Sequence, residues 1–204
     1  MEERWIKNGI RGRGDLPPMA GNWSGPAIIL GCGRCLYAEA ARYVDIADII
    51  AINYTGILCP YNKRHLVSLH PEEILHLKEL LRFNNRWQID HLFTHSTTGA
   101  EVNWDFDDPE IGNGTSALFA TLIAVVLGYN PVILAGVPLD NTGNFYHPPE
   151  YMINYWENGS SHDKWLEYRP LLLNRVFSLS GFTREILGEP PGCKSAIITS
   201  SLTN

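Results

Sequence analysis

The sequence predicts a single Rossmann-like α/β domain, with a mostly parallel sheet and helices on both faces. Its 204 residues suit one domain with a full core, and the balance of 45% hydrophobic to 19% charged residues is that of a folded globular chain. From residue 26 onward, short apolar runs alternate with helical segments, which is typical of parallel sheets. Predicted strands lie at 27–30, 49–53, 66–69, 91–94, 132–135 and 176–179, and predicted helices at 34–44, 71–83 and 115–127.

Proline and glycine mark the ends of two predicted helices. Pro71 suits a first helical turn, because its missing N–H has no partner there in any case. Gly128 follows the apolar helix that ends at Leu127 and suits the left-handed conformation that commonly terminates a helix. Both residues support the predicted boundaries.

The two segments without a clear period are the N-terminal arm and a long loop. Residues 1–25 are rich in Gly, Pro, Arg and Asn, and we expect a loop-like arm that packs on the domain or on a neighbouring subunit of a homo-oligomer. Residues 26–204 form the predicted domain. Within it, residues 141–161 (NTGNFYHPPEYMINYWENGSS) are aromatic and turn-rich, which predicts a lid.

Charge and composition exclude several classes of protein. The net charge of −6 and the scattered basic residues argue against a nonspecific nucleic-acid binder, which needs clustered Lys and Arg. No apolar run reaches the roughly 20 residues that span a bilayer, so we expect no integral membrane span. Residues 1–25 lack the apolar core of a secretory signal, and four irregularly spaced cysteines do not make a disulfide framework. We therefore expect a cytoplasmic protein.

A glycine-spaced turn follows the first strand of the predicted sheet. Gly31, Cys32 and Gly33 lie where ligands collect in open parallel sheets, and glycines allow a phosphate or nucleotide to approach the backbone. The turn lacks the third glycine of the dinucleotide fingerprint. A tight turn with a purely structural role fits this pattern equally well.

The same turn carries Cys32 and Cys35 two residues apart at a helix start, which is also the layout of thioredoxin-like redox sites. We rank the redox interpretation below nucleotide binding, because the sequence contains more parallel βα units than a thioredoxin core needs. A zinc site would need a second pair of cysteines at metal spacing, and only Cys59 and Cys193 remain, each alone.

Polar residues end three further predicted strands. Asn53 follows an apolar strand, where its amide would read a base or a ribose; the alternative is an Asx turn. His70 and His95 lie at comparable positions and would bind phosphate or transfer protons; the alternative is a hydrogen-bonded structural role.

The start of the apolar helix is a candidate anion site. Asn113, Gly114, Thr115 and Ser116 precede or open a segment that is apolar on every side and so must be buried. The first N–H groups of a helix have no partner inside it, and they attract negative charge. These residues either cap the helix or leave its donors facing a phosphate.

An acidic loop, NWDFDDPE, contains a candidate metal site. Asp105 and Asp107 match the Asp-x-Asp pattern by which many glycosyltransferases hold a divalent cation and a sugar diphosphate. Short acidic patterns of this kind are also common in solvated loops, which is the interpretation that we favour.

Three segments together resemble a known group of proteins. PAIILGCGRCL, DIIAINY and GNGTSALFATLIAVVLGYNPVILAGVPLD are similar, in order and spacing, to segments of the bacterial sialyltransferases of the Campylobacter type and of the related motility-accessory-factor and 6-hydroxymethylpterin diphosphokinase-like proteins. The resemblance covers roughly residues 26–140. Two residues depart from the family's first turn, where Cys32 replaces Asn and Arg34 replaces Pro, and Pro138 and Leu139 are inserted before Asp140.

The resemblance implies a role for each candidate residue. Gly31, Cys32 and Gly33 would approach a nucleotide, Asn53 would hold its base or ribose, and Thr115 and Ser116, in the turn that begins with Asn113 and Gly114, would contact its ribose or phosphate. His162, in SSHDKWLEY, would be the general base at the start of a helix. Tyr146, Tyr151 and Tyr155 of the lid would stabilise the leaving phosphate.

The expected function is glycosyl transfer from a nucleotide-sugar, of the CMP-sugar type, to an acceptor hydroxyl, with no cofactor required. Because the first turn departs from the family pattern, the donor is expected only to be nucleotide-linked. Two alternatives remain open: a catalytically inactive binding or assembly module, and a pterin diphosphokinase-like enzyme whose Mg²⁺ would bind the Asp105 and Asp107 loop.

Overall fold

A computed structural model describes residues 4–83, 92–150 and 160–192. Its strands are β1 Arg4–Lys7, β2 Ile10–Arg13, β3 Ala27–Leu30, β4 Asp48–Ile52, β5 His65–Val67, β6 Phe93–Ser96, β7 Val102–Asn103, β8 Val132–Ala135 and β9 Val176–Ser178. Its helices are α1 Leu36–Ala40, α2 Thr55–Leu58, α3 Pro71–Phe83, α4 Thr115–Leu127, α5 Ser160–Leu172 and α6 Gly181–Leu187.

Strands β3 to β9 form one seven-stranded parallel sheet in the order β7-β6-β5-β4-β3-β8-β9. The central strands β3 and β8 are apolar at every position and fully buried, because helices cover the sheet. Helix α4 packs on the face that carries Ile29 and Ile50. Helix α1 packs on the opposite face, against Ile28 and Leu30. The predicted Rossmann-like fold is confirmed.

Strand β3 lies at the point where the chain changes direction across the sheet. From β3 the chain proceeds to β4 on one side, and after β7 it returns through α4 to place β8 on the other side of β3. The loops that follow β3 and β8 therefore diverge, and a crevice opens at the carboxyl ends of the strands. Twelve of the thirteen residues of α4 are buried, which fixes the position of its N-terminus at this crevice.

The N-terminal segment differs from the loop-like arm that its composition suggests. Strands β1 and β2 form an antiparallel hairpin, and Trp5 and Ile10 are buried in the main core. The Trp5 ring lies edge-on to Trp104 and Phe106, at centroid distances of 6.3 and 5.9 Å. Aromatic packing against residues about 100 positions away stabilises a hairpin that carries little local signal.

The two helix boundaries predicted from Pro71 and Gly128 are confirmed. Helix α3 begins at Pro71, and Gly128 follows α4 at φ 110°, where its N–H donates to the carbonyls of Ala124 and Val125. The first predicted helix was too long, because α1 spans only Leu36–Ala40. The predicted strand at 91–94 lies two residues early, and residue 91 is outside the described residues.

Among the described helices, none is long and apolar enough to cross a membrane.

Candidate ligand-binding site at the strand ends

A cavity of about 800 Å³ opens at the carboxyl ends of β3, β4, β5 and β8. This volume is in the range of small-molecule sites. It is lined by the turn after β3 and by the start of α4, so the two segments that the sequence singles out lie on one wall. The predicted site residues that line it are Gly31, Cys32, Gly33, Asn53, Asn113, Thr115, Ser116 and Tyr146. Gly114 is buried just behind this wall.

Asn53 and Ser116 lie next to each other in the lining of this cavity. The side-chain nitrogen Nδ2 of Asn53 lies 3.5 Å from the Ser116 hydroxyl oxygen. The side-chain oxygen Oδ1 of Asn53 is buried without a hydrogen-bond partner among the described residues. Thr55 holds the turn in place, because its hydroxyl donates to the Leu30 carbonyl at 2.8 Å and accepts from the Ile52 N–H at 2.9 Å. A buried amide oxygen without a partner, in a residue that lines a cavity, needs a hydrogen-bond donor that a ligand can supply.

Backbone strain is concentrated at the cavity. Five non-glycine residues of the described chain have positive φ, and three of them line the cavity: Asn53 at 49°, Thr115 at 73° and Leu139 at 51°. Thr115 is the most strained, because a β-branched residue rarely adopts φ 73° with ψ 167°. Its hydroxyl accepts from the Ala117 N–H at 3.2 Å and so caps the start of α4. Strain of this kind is characteristic of ligand sites.

The glycines of the first turn have a structural reason of their own. A Cβ on Gly31 would lie 2.3 Å from the Gly136 carbonyl oxygen, and one on Gly33 would lie 2.6 Å from Pro138. The loops after β3 and β8 thus touch each other where side chains would otherwise be. This close approach accounts for the glycines without any ligand.

The first part of the predicted lid is attached to the same turn. The Phe145 N–H donates to the Cys32 carbonyl at 2.8 Å, and the Arg34 guanidinium donates to the carbonyls of Thr142 and Pro148. Tyr146 is 42% exposed, and its hydroxyl oxygen accepts from the Asn144 amide at 2.9 Å. Tyr151 and Tyr155 lie outside the described residues.

His162 lies in the first turn of α5, at the edge of the cavity rather than in its lining. Its Nε2 donates to the Leu139 carbonyl at 2.9 Å, and its ring stacks on Phe182 at a centroid distance of 3.8 Å. With Nε2 as the donor, Nδ1 carries the lone pair of the neutral ring. Ser161, one residue before, does line the cavity. The catalytic role of His162 stays a prediction.

The acidic loop faces the N-terminal hairpin instead of the cavity. Asp107 lies 3.4 Å from both Arg4 and Arg13, and Asp105 lies 3.9 Å from Arg13. Neither aspartate lines the cavity. Across the described part of the chain, no group of three His, Cys, Asp or Glu side chains is placed to hold a metal ion.

The histidines at strand ends separate into two environments. His70 lines the cavity, whereas His95 is fully buried in a chain of hydrogen bonds. In that chain Trp104 Nε1 donates to His95 Nδ1 at 3.0 Å, and His95 Nε2 therefore donates to His65 Nδ1 at 2.8 Å. His65 Nε2 donates to the Tyr129 hydroxyl at 2.9 Å, which donates to Asp48 at 2.8 Å. The structural alternative for His95 is the one that the contacts support.

Burial raises the pKa of Cys32 and of Cys35 to about 12, and neither forms a disulfide. A redox site needs a thiol with a low pKa, so these values argue against the thioredoxin-like interpretation. We expect both thiols in the folded protein to react with maleimide at pH 7.5 far more slowly than the same thiols in urea, as measured by mass spectrometry. Rapid alkylation of either cysteine in the folded protein would contradict this assignment.

The fold and the cavity define a Rossmann-like α/β domain with an open cavity at the crevice of its sheet. Comparison with protein-family models, with curated proteins and with solved structures finds no match for this chain.

Proposed function

We propose that this protein binds a nucleotide or nucleotide-sugar, of the CMP-sugar type, in the cavity and transfers the glycosyl group to an acceptor hydroxyl. The observation that carries the proposal is the convergence of Asn53 and Ser116 on one wall of a cavity of about 800 Å³. The unpartnered Asn53 oxygen offers an acceptor to a base or ribose, and the start of α4 offers hydroxyls and an electropositive pole to a phosphate.

In the proposed reaction, His162 Nδ1 takes the proton of the acceptor hydroxyl, and the acceptor oxygen attacks the anomeric carbon of the donor. The bond between that carbon and the phosphate oxygen breaks, and the nucleotide leaves with the electron pair. The Leu139 carbonyl supports this role, because it fixes the tautomer of His162. Tyr146, in the lining, is the candidate hydrogen-bond donor to the leaving phosphate.

The second candidate is a binding module without transferase activity. It is favoured by the position of His162, whose ring is held by Leu139 and Phe182 and does not line the cavity. A module of this kind would use the cavity for the same ligand and would leave His162 with a structural role.

Titration calorimetry with CMP, UMP, AMP and GMP tests binding. We expect Asn53→Ala and Ser116→Ala each to weaken the affinity for the bound nucleotide by about tenfold, which is the loss of roughly one hydrogen bond. Asn22→Ala is the control, because Asn22 is exposed and its side chain bonds only locally, to the Pro18 carbonyl. Unchanged affinity in both cavity variants would place the nucleotide elsewhere.

Turnover separates the two candidates. If His162 is the base, His162→Ala lowers the rate of transfer by about 10²-fold or more while the affinity for nucleotide stays the same. A nucleotide-binding protein in which wild type and His162→Ala show equal residual turnover of CMP-sugar donors supports the binding module.

A further inference from the structure

The cavity that we assign to a nucleotide is poor in positive charge. Two carboxylates line it, those of Glu73 and Asp140, and the described lining contains neither Lys nor Arg. The sequence of segment 141–161 also contains no Lys or Arg. A phosphate entering the cavity thus meets two like charges, and the backbone N–H groups at the start of α4 are its main attraction.

Among the described residues that line the cavity, His70 is the only one whose side chain carries a positive charge when it is protonated. It follows β5 directly, next to the start of α4, since the Leu69 N–H lies 3.5 Å from the Ser116 hydroxyl oxygen. The His70 N–H donates to the Ser68 hydroxyl at 3.0 Å, which fixes the backbone at this point. The side chain itself is 55% exposed, so it is accessible to a ligand.

A carboxylate lies beside the ring of His70. Its Nδ1 lies 3.6 Å from a carboxylate oxygen of Glu72, at the beginning of α3. With Nδ1 on the side of Glu72, Nε2 is the ring nitrogen available to another partner. Glu72 on α3 is the ion-pair partner of His70, and the charged residues that share the described cavity lining with it are Glu73 on α3 and Asp140 after β8, both negative.

We infer that His70 binds the anionic group of the ligand together with the start of α4, so that an anionic ligand binds best when His70 is protonated. This inference rests on the proposed function, because it assigns a partner to the phosphate of the same nucleotide. It also limits the ligand to one anionic group, because any further negative charge would meet the carboxylates of Glu73 and Asp140 in the lining.

The test compares three probes at pH 8.0 and pH 5.5 by titration calorimetry: CMP, its methyl phosphodiester and cytidine. The phosphodiester keeps one negative charge across this range, whereas a phosphomonoester has a second pKa of about 6. We expect the affinity for the phosphodiester to rise by about tenfold at pH 5.5, and the affinity for cytidine to stay constant.

The His70→Asn variant should show no rise in affinity between pH 8.0 and pH 5.5, and the His70→Lys variant should bind the phosphodiester at pH 8.0 as tightly as wild type does at pH 5.5. His76→Asn, on the exposed face of α3, is the matched control.

The outcomes separate the two claims. If the phosphodiester binds wild type with equal affinity at both pH values, or if His70→Asn retains the rise, the role of His70 is wrong and the proposed nucleotide site stands. If neither nucleotide nor nucleoside binds at either pH, the proposed function fails and the inference fails with it.

Discussion

Lowering the pH from 7.5 to 4.5 is expected to reduce the free energy of unfolding by about 2.7 kcal/mol through His95 alone. Burial lowers the pKa of His95 to about 3, whereas an unfolded histidine has a pKa near 6.5. Between these values the unfolded chain binds a proton that the folded chain does not. Stability therefore falls as the pH falls below about 6.5. Burial shifts the pKa of His65 in the same direction, so the two losses add.

A substitution that keeps the hydrogen bonds but removes the titration isolates this effect. In His95→Gln, the amide oxygen replaces Nδ1 as the acceptor from Trp104, and the amide nitrogen replaces Nε2 as the donor to His65. Urea unfolding at a series of pH values should give a slope against pH that is smaller than in wild type by about 1.4 kcal/mol per pH unit. His76→Gln, at an exposed histidine, should leave the slope unchanged. Equal slopes in wild type and His95→Gln would show that His95 is not buried in the neutral form.

Replacing Trp165 with Ala is expected to destabilise the fold by about 3–5 kcal/mol. Trp165 is fully buried, and its indole N–H donates to the Gly114 carbonyl at 3.0 Å. It thereby joins α5, which carries His162, to the residue that precedes α4. Loss of the ring leaves a cavity behind the candidate site and removes the bond between α5 and the residue before α4, so we also expect nucleotide affinity to fall. Urea unfolding measures the first effect and calorimetry the second.

Two further variants divide the contribution of Trp165 into its parts. Trp165→Phe keeps most of the ring and removes the hydrogen bond, for an expected loss of about 1–3 kcal/mol. Leu166→Ala alters the next residue on α5, which is 46% exposed, and should change stability by less than about 0.5 kcal/mol. If Trp165→Ala were no more destabilising than Leu166→Ala, α5 would not be docked on the start of α4.

The central strands and the crevice could be predicted from the sequence because their signals are local. The apolar runs of β3 and β8 mark strands buried on both faces, and the alternation with helices implies parallel pairing. In such a sheet, residues after neighbouring strands meet at one edge. Asn53 follows β4 and Ser116 lies at the start of α4, which leads into β8; both lie at this edge, where their side chains come within 3.5 Å.

The features that the sequence did not predict depend on distant partners. Hairpin β1–β2 is held by Trp5 against Trp104, and the His65 side chain has its hydrogen-bond partners at His95 and Tyr129, 30 and 64 residues away. The strained backbone of Thr115 also carries no local signal, since a β-branched residue does not favour positive φ. The close approach of the loop after β8 to Gly31 and Gly33 also joins residues far apart in the sequence, so the sequence alone leaves a structural turn and a ligand site equally open.

The most direct test of the nucleotide site is a crystal of the protein soaked with CMP. We expect density for the nucleotide inside the cavity, with a base or ribose group hydrogen-bonded to the side-chain oxygen Oδ1 of Asn53 and the phosphate at the start of α4, beside Ser116 and His70. Nucleotide density at any other surface, with the cavity open and empty at saturating CMP, would contradict it.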